Sequence, residues 1–118
     1  MRVILTYHAT RLQRLTREGS DLLSLHADLE WLADQGIAVM SLDELLADPR
    51  RAGVAVTFDD GSRLDGFPHL HPGLGLLPSM LQVLTHAKRR LPGLCVSNFV
   101  IASPQARTVL ATHLRAEF

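Results

Sequence analysis

Two adjacent carboxylates, Asp59 and Asp60, follow the apolar run Gly53-Val54-Ala55-Val56-Thr57-Phe58 and precede Gly61-Ser62. A short run rich in β-branched residues reads as a buried strand, so the pair stands where a strand emerges into a loop. In α/β folds that C-terminal strand edge is where active sites gather. Neighbouring side chains of an extended strand point to opposite faces. Both carboxylates can serve one site only if the chain turns at once, and Gly61 permits the turn. Two carboxylates held close do not both ionise easily, which leaves one to bind a metal while the other takes a proton. A plain solvated Asp-Gly turn uses the same residues, and on spacing alone it is the commoner use.

Histidines are the next candidates. His8 ends the apolar run Arg2 to Tyr7, read as a first strand, and falls at the same sheet edge as Asp59. It is a candidate for lining the site. His69 and His71 stand two apart in a long segment after the Asp-Asp pair. In an extended chain their rings share a face, so they can ligate or touch substrate, although a solvated loop is the more ordinary fate. His26, His86 and His113 fall on helical segments and need no role. Trp31 reads as a helix packing residue, Cys95 as an inert strand residue, and Lys88-Arg89-Arg90 as a solvated helix end.

These residues need a frame. Thr10 to Gly19 reads as a polar loop. Ser20 can cap a helix to about Gln35, with Leu22, Leu25, Leu29 and Leu32 on one stripe and Gly36 as terminator. Ile37 to Met40 reads as a short second strand. Ser41 and Glu44 form a capping box opening the helix Leu42 to Ala47, which Asp48-Pro49 stops. Ser62 to Pro78, broken by Gly and Pro, reads as a long irregular loop, and such loops are often functional. Ser79 to Arg90 reads as a helix burying Met80, Leu84 and Ala87. Leu94 to Ala102 reads as a strand, and Ser103-Pro104 opens a last helix running to near Phe118. Strands alternating with helices, and apolar enough to be buried on both faces, mean an α/β chain with a parallel sheet. The expected strand order is sequential, as in an incomplete barrel, since a closed one needs ~250 residues.

Composition bounds the function. The chain has 118 residues, with 12 basic and 12 acidic side chains and no net charge. That balance favours neither nucleic acid nor an anionic membrane as partner. With 47% hydrophobic residues it is not a disordered chain, and its single cysteine excludes an internal disulfide framework. No apolar run approaches a membrane span, and Val3-Ile4-Leu5 is too short for a signal h-region of about 7–15 residues. A cytoplasmic location is expected of the chain as written.

Thr57-Phe58-Asp59-Asp60-Gly61 resembles the first motif of polysaccharide deacetylases, the NodB-homology family of carbohydrate esterases. The flanks agree with it. Leu5-Thr6-Tyr7-His8 resembles the opening strand of many members. LEWLADQGIAVMSLDELL, Leu29 to Leu46, resembles the helix–Gly–strand segment before the motif, and Ser97-Asn98-Phe99-Val100-Ile101-Ala102 resembles the strand after it. The resemblance spans Ile4 to about Leu110 and implies an incomplete (β/α) barrel with parallel strands and outer helices.

It also implies a chemistry. Asp59 matches the general base that deprotonates the attacking water. Asp60 matches the carboxylate ligand of a divalent metal, usually zinc. In the family two histidines of a later His-x-x-x-His motif, one helical turn apart, complete the ligands. Hydrolysis of an N-acetyl (or O-acetyl) group passes through a tetrahedral oxyanion and, for the amide, releases acetate and an amino sugar. The substrate class is a polysaccharide or acetylated amino sugar. None of the six histidines here lies four from another. The expectation is therefore that residues 1–118 are the N-terminal portion of such a domain, ending before the metal site is complete. Its bare sheet edges would invite self-association. Two other readings use the same residues: a carbohydrate-binding remnant without catalysis, and an aspartate-based, magnesium-dependent phosphoryl-transfer domain. The second is disfavoured because the first strand ends in Tyr7-His8 rather than in an acidic pair.

Overall fold

The computed structural model describes residues 1–9, 11 and 19–109. The polar loop expected after Thr10, apart from Arg11 and Gly19, and the helix end beyond residue 109 lie outside the described residues. Three parallel strands form the main sheet: β1 (Arg2–Tyr7), β2 (Gly53–Asp60) and, as named in chain order below, β5 (Val96–Val100). Their order is β1-β2-β5. Between β1 and β2 the chain makes α1 (Asp21–Asp34) and α2 (Leu42–Ala47). Between β2 and β5 it makes α3 (Arg63–Gly66), a hairpin of β3 (His69–His71) and β4 (Gly75–Leu77), and α4 (Met80–Ala87).

The helices begin where capping chemistry says they should. Ser20, Ser41 and Ser79 each accept a backbone N–H of the first turn, and Ser41 with Glu44 and Ser79 with Gln82 close capping boxes. The Ser41 hydrogen bonds hold the Glu44 carboxyl below its usual range. Gly36 takes a φ of +63°, the left-handed exit expected after α1.

Alternation along the strands divides the sheet into two faces. Val3, Leu5 and Tyr7 with Val54, Val56 and Phe58 face α1 and α4, where Leu25, Leu29, Leu32, Met80 and Val83 complete the main core. A fully buried side chain of this kind contributes roughly 1.5–3 kcal/mol over an exposed one. On the other face Ala55 packs with Met40 and Leu45, and Leu42 of α2 lies against them. On that same face Ile4, directly beside Ala55, and Phe99 further along are exposed. Arg90 clips α4 to α1, donating to Glu30 at 2.7 Å and Asp34 at 2.6 Å.

Several expectations are corrected. Only β2 is buried through most of its length, from Gly53 to Phe58; β1 alternates and β5 is mostly exposed, because both are edge strands with one face largely bare. No barrel is closed: the sheet has three strands. Ile37 to Met40 is not a strand between its neighbours. It makes one parallel bridge, Val39 to Val54, on the edge of β2 that β5 occupies further along, leaving β1 directly beside β2. The segment Ser62 to Pro78 is not irregular, since α3 and the β3–β4 hairpin lie within it. Trp31 is half exposed rather than packed, and Val83 joins Met80 and Ala87 in the buried stripe of α4 where Leu84 was expected.

Candidate functional site

Parallel pairing carries chemistry-bearing residues to one edge. The register sets Tyr7 opposite Phe58, so the next residues, His8 and Asp59, face each other just past the end of the β1–β2 ladder. His8 Nε2 lies 3.5 Å from Asp59 Oδ2. On its other side, His8 Nδ1 is 3.7 Å from Asp21 Oδ2. The imidazole therefore stands between two carboxylates. This placement of His8 beside Asp59 was expected; Asp21 was not.

Asp21 is the fixed member of the three. It is buried at the first turn of α1. Its Oδ2 accepts the His8 backbone N–H at 2.7 Å and its Oδ1 accepts from the Arg11 guanidinium at 2.7 Å. A carboxylate so held pins the backbone at the end of β1, and with it the His8 ring. Asp59 and His8 are half-exposed by contrast and open to a ligand. Sequence reasoning did not single out Asp21. The available signal was its place directly after the cap Ser20, which lets a side chain reach back to the strand end.

Asp60 has a φ of +77° and Gly61 one of +63°. The turn thus begins on the second carboxylate itself rather than on Gly61. A non-glycine residue held in that region stores strain and is a feature of functional turns. Asp60 still pairs with Val100 in the β2–β5 ladder. Its negative charge is felt at Asp65, on the helix-covered side of the sheet. Asp59 and Asp60 therefore share an edge while facing different neighbours.

Asp65, on α3, was also missed. It is buried and accepts from Asn98 Nδ2 at 3.2 Å. Burial pushes its carboxyl above the usual range, hydrogen bonding from Asn98 and from the Ser62 backbone opposing this and the charge of Asp60 adding to it.

The two loop histidines lie on the β3–β4 hairpin. His69 pairs with Leu77 and His71 with Gly75 across the hairpin. His71 Nδ1 accepts the backbone N–H groups of Gly73 and Leu74, both at 3.0 Å, closing the turn. His69 lines a small cavity with Leu22, Leu64 and Met80. Among the described residues no three His, Cys, Asp or Glu side chains gather to hold one metal ion. Asp60 offers a hard oxygen donor suited to a divalent cation, but these residues alone do not build the ligand set of a catalytic zinc.

Protein-family models, curated proteins and solved structures were each compared with the chain, and none matches it. Among the described residues no helix is long and apolar enough to cross a membrane.

Proposed function

We propose that this chain is the N-terminal part of a metal-dependent polysaccharide deacetylase domain that hydrolyses acetyl groups from an amino sugar polymer. The observation that carries the reading is the meeting of His8 and Asp59 at 3.5 Å, beside the strained turn at Asp60, at one C-terminal strand edge. The resemblance around Thr57 to Gly61 supplies the roles. Asp59, open to solvent, accepts the proton of the attacking water. His8, held between Asp21 and Asp59, lines the same site. Asp60 is the residue that would hold zinc, which when bound polarises the acetyl carbonyl. Two further ligands are required from outside the described residues. The bare stretch of sheet face around Ile4, Thr6 and Phe99 suits the inside of an unfinished barrel, and the sheet edges suit self-association.

The test is zinc calorimetry joined to acetate release from N-acetylglucosamine oligomers, on the chain and on Asp60→Ala. Weak zinc binding that Asp60→Ala abolishes, with little or no turnover by these 118 residues, is the expected result. Zinc binding indifferent to Asp60→Ala would overturn the assigned ligand. Tight zinc binding with metal-dependent acetate release, both lost in Asp60→Ala, would show a complete enzyme. Binding of the oligomers without any metal dependence would favour the carbohydrate-binding remnant instead.

A further inference from the structure

The seam between α1 and α4 carries more than the Arg90 clip. Four residues before Glu30 stands His26, and four before Arg90 stands His86. Residues four apart on a helix lie one turn apart on the same face. The contact that joins Glu30 to Arg90 is accordingly preceded, one turn earlier, by one that joins His26 to His86. Their ring centroids lie 6.4 Å apart with the planes tilted by 41°.

Ring packing does not account for this approach. Both histidines are exposed, so their meeting buries little surface. The tilt is neither the offset stack nor the edge-to-face arrangement that aromatic pairs prefer. What two imidazoles at this spacing share is ligand chemistry, because the neutral ring is the commonest protein ligand of transition metals. The cation one turn on, Arg90, is already met by Glu30 and Asp34.

We propose that His26 and His86 together bind a divalent transition-metal ion, which ties α1 to α4 beside the Arg90 clip. A metal–nitrogen bond of about 2.0–2.1 Å sets two ligating rings about 5 Å apart, centroid to centroid, at a tetrahedral angle and about 6.5 Å apart when they stand opposite each other. The observed spacing is at the wide end of that span. It suits opposite corners of a tetragonal ion such as Cu²⁺, which also binds nitrogen donors most tightly among the first-row divalent metals. Each ring offers Nδ1 and Nε2, and the broad χ2 torsion of histidine lets either turn to the ion. Water completes the coordination. Two protein ligands are fewer than a catalytic or structural zinc set uses, and among the described residues no third ligand joins them. The ion is therefore a bridge between helices. It stands apart from the deacetylase reading, in which neither histidine takes part.

The experiment adds Cu²⁺, at less than one equivalent, to the unaltered chain and follows backbone amide signals by NMR. The paramagnetic ion should broaden signals around His26 and around His86 together, at the same metal concentration. It should also raise the urea midpoint, because only the folded chain presents both rings to one ion. His26→Gln and His86→Gln should each weaken Cu²⁺ binding about tenfold or more and abolish the gain in midpoint, since the second ring acts as an intramolecular ligand. Asp60→Ala should leave both readouts unchanged, which separates this bridge from the proposed zinc ligand. Broadening around one ring alone, broadening centred on His8 or on the hairpin of His69 and His71, single variants that bind as tightly as the unaltered chain, or dependence on Asp60 would each overturn the proposal. The pattern of broadening in the unaltered chain decides the matter even if a variant does not fold.

Discussion

Replacing Gly61 by alanine tests how the turn at the carboxylate pair is held. Gly61 has a φ of +63°, where a Cβ costs about 1–2 kcal/mol. A Cβ there would also stand 2.8 Å from Val100 Cγ1, 3.0 Å from Cγ2 and 3.1 Å from the Val100 Cα on β5. Forcing a methyl into such a contact costs a further 1–3 kcal/mol or so. Gly61→Ala is therefore expected to lose about 2–5 kcal/mol. Gly36 provides the internal control. It has the same φ of +63°, and a Cβ there meets nothing within 4 Å. Gly36→Ala should cost the conformational part alone, about 1–2 kcal/mol. The difference between the two measures the closeness of β5 to the turn. Val100→Ala by itself should matter little, because Val100 is 60% exposed. Combined with Gly61→Ala it removes both γ-carbon contacts, and part of the loss should return as a coupling energy of about 1 kcal/mol. Urea unfolding of the four variants, with unchanged m-values, gives each number. If Gly61→Ala costs no more than Gly36→Ala, or if the double variant is additive, β5 does not press on the turn as described.

Asp65→Asn should stabilise the chain at neutral pH by about 1 kcal/mol. The folded-state carboxyl is raised above its unfolded value, so its contribution is fully present at acid pH and lost as pH rises through the folded value. The gain from Asp65→Asn, followed by urea unfolding across pH, should accordingly vanish below the ordinary carboxylate range and grow above it. Asp21→Ala should lose about 2 kcal/mol by stranding the His8 backbone N–H, whereas Arg11→Ala, removing a half-exposed partner, should lose less than about 1 kcal/mol in the same assay. Ser79→Ala removes a fully buried cap and should lower the urea midpoint by the equivalent of about 1–2 kcal/mol.

The parts legible in the sequence were those fixed by local chemistry. Ser20 and Ser41 announced two helix starts because a capping hydrogen bond closes within three residues. The apolar stripe of α1 and the run Gly53 to Phe58 announced burial because their periods are carried by many residues. The meeting of His8 with Asp59 could be anticipated because both follow strands that end at the same edge. What escaped depended on distant partners. A strand order is a matter of which edges pair, and nothing local in Ile37 to Met40 says that it will make one bridge and stop. The three-residue strands β3 and β4 are too short to show a period. Asp65 and Asn98, 33 residues apart, become one unit only when α3 folds back over β5.

The division of the carboxylate pair follows from the same physics. The β2–β5 ladder runs through Asp60, so the strand keeps its two-residue alternation to the last paired position. Asp59 accordingly shares its face with Thr57 and Thr6, whose hydroxyls meet at 2.9 Å, and is met by His8. Asp60 opens the turn with its positive φ, and its field reaches the helix-covered side, where Asp65 already lies buried. Each carboxylate thus has its own supporting neighbour: Asp21 behind His8 for Asp59, and the α3–β5 layer beside Asp60. In the proposed chemistry a base and a metal ligand need different surroundings while standing one peptide apart. A strand end whose alternation persists until a left-handed turn supplies that separation without any further element.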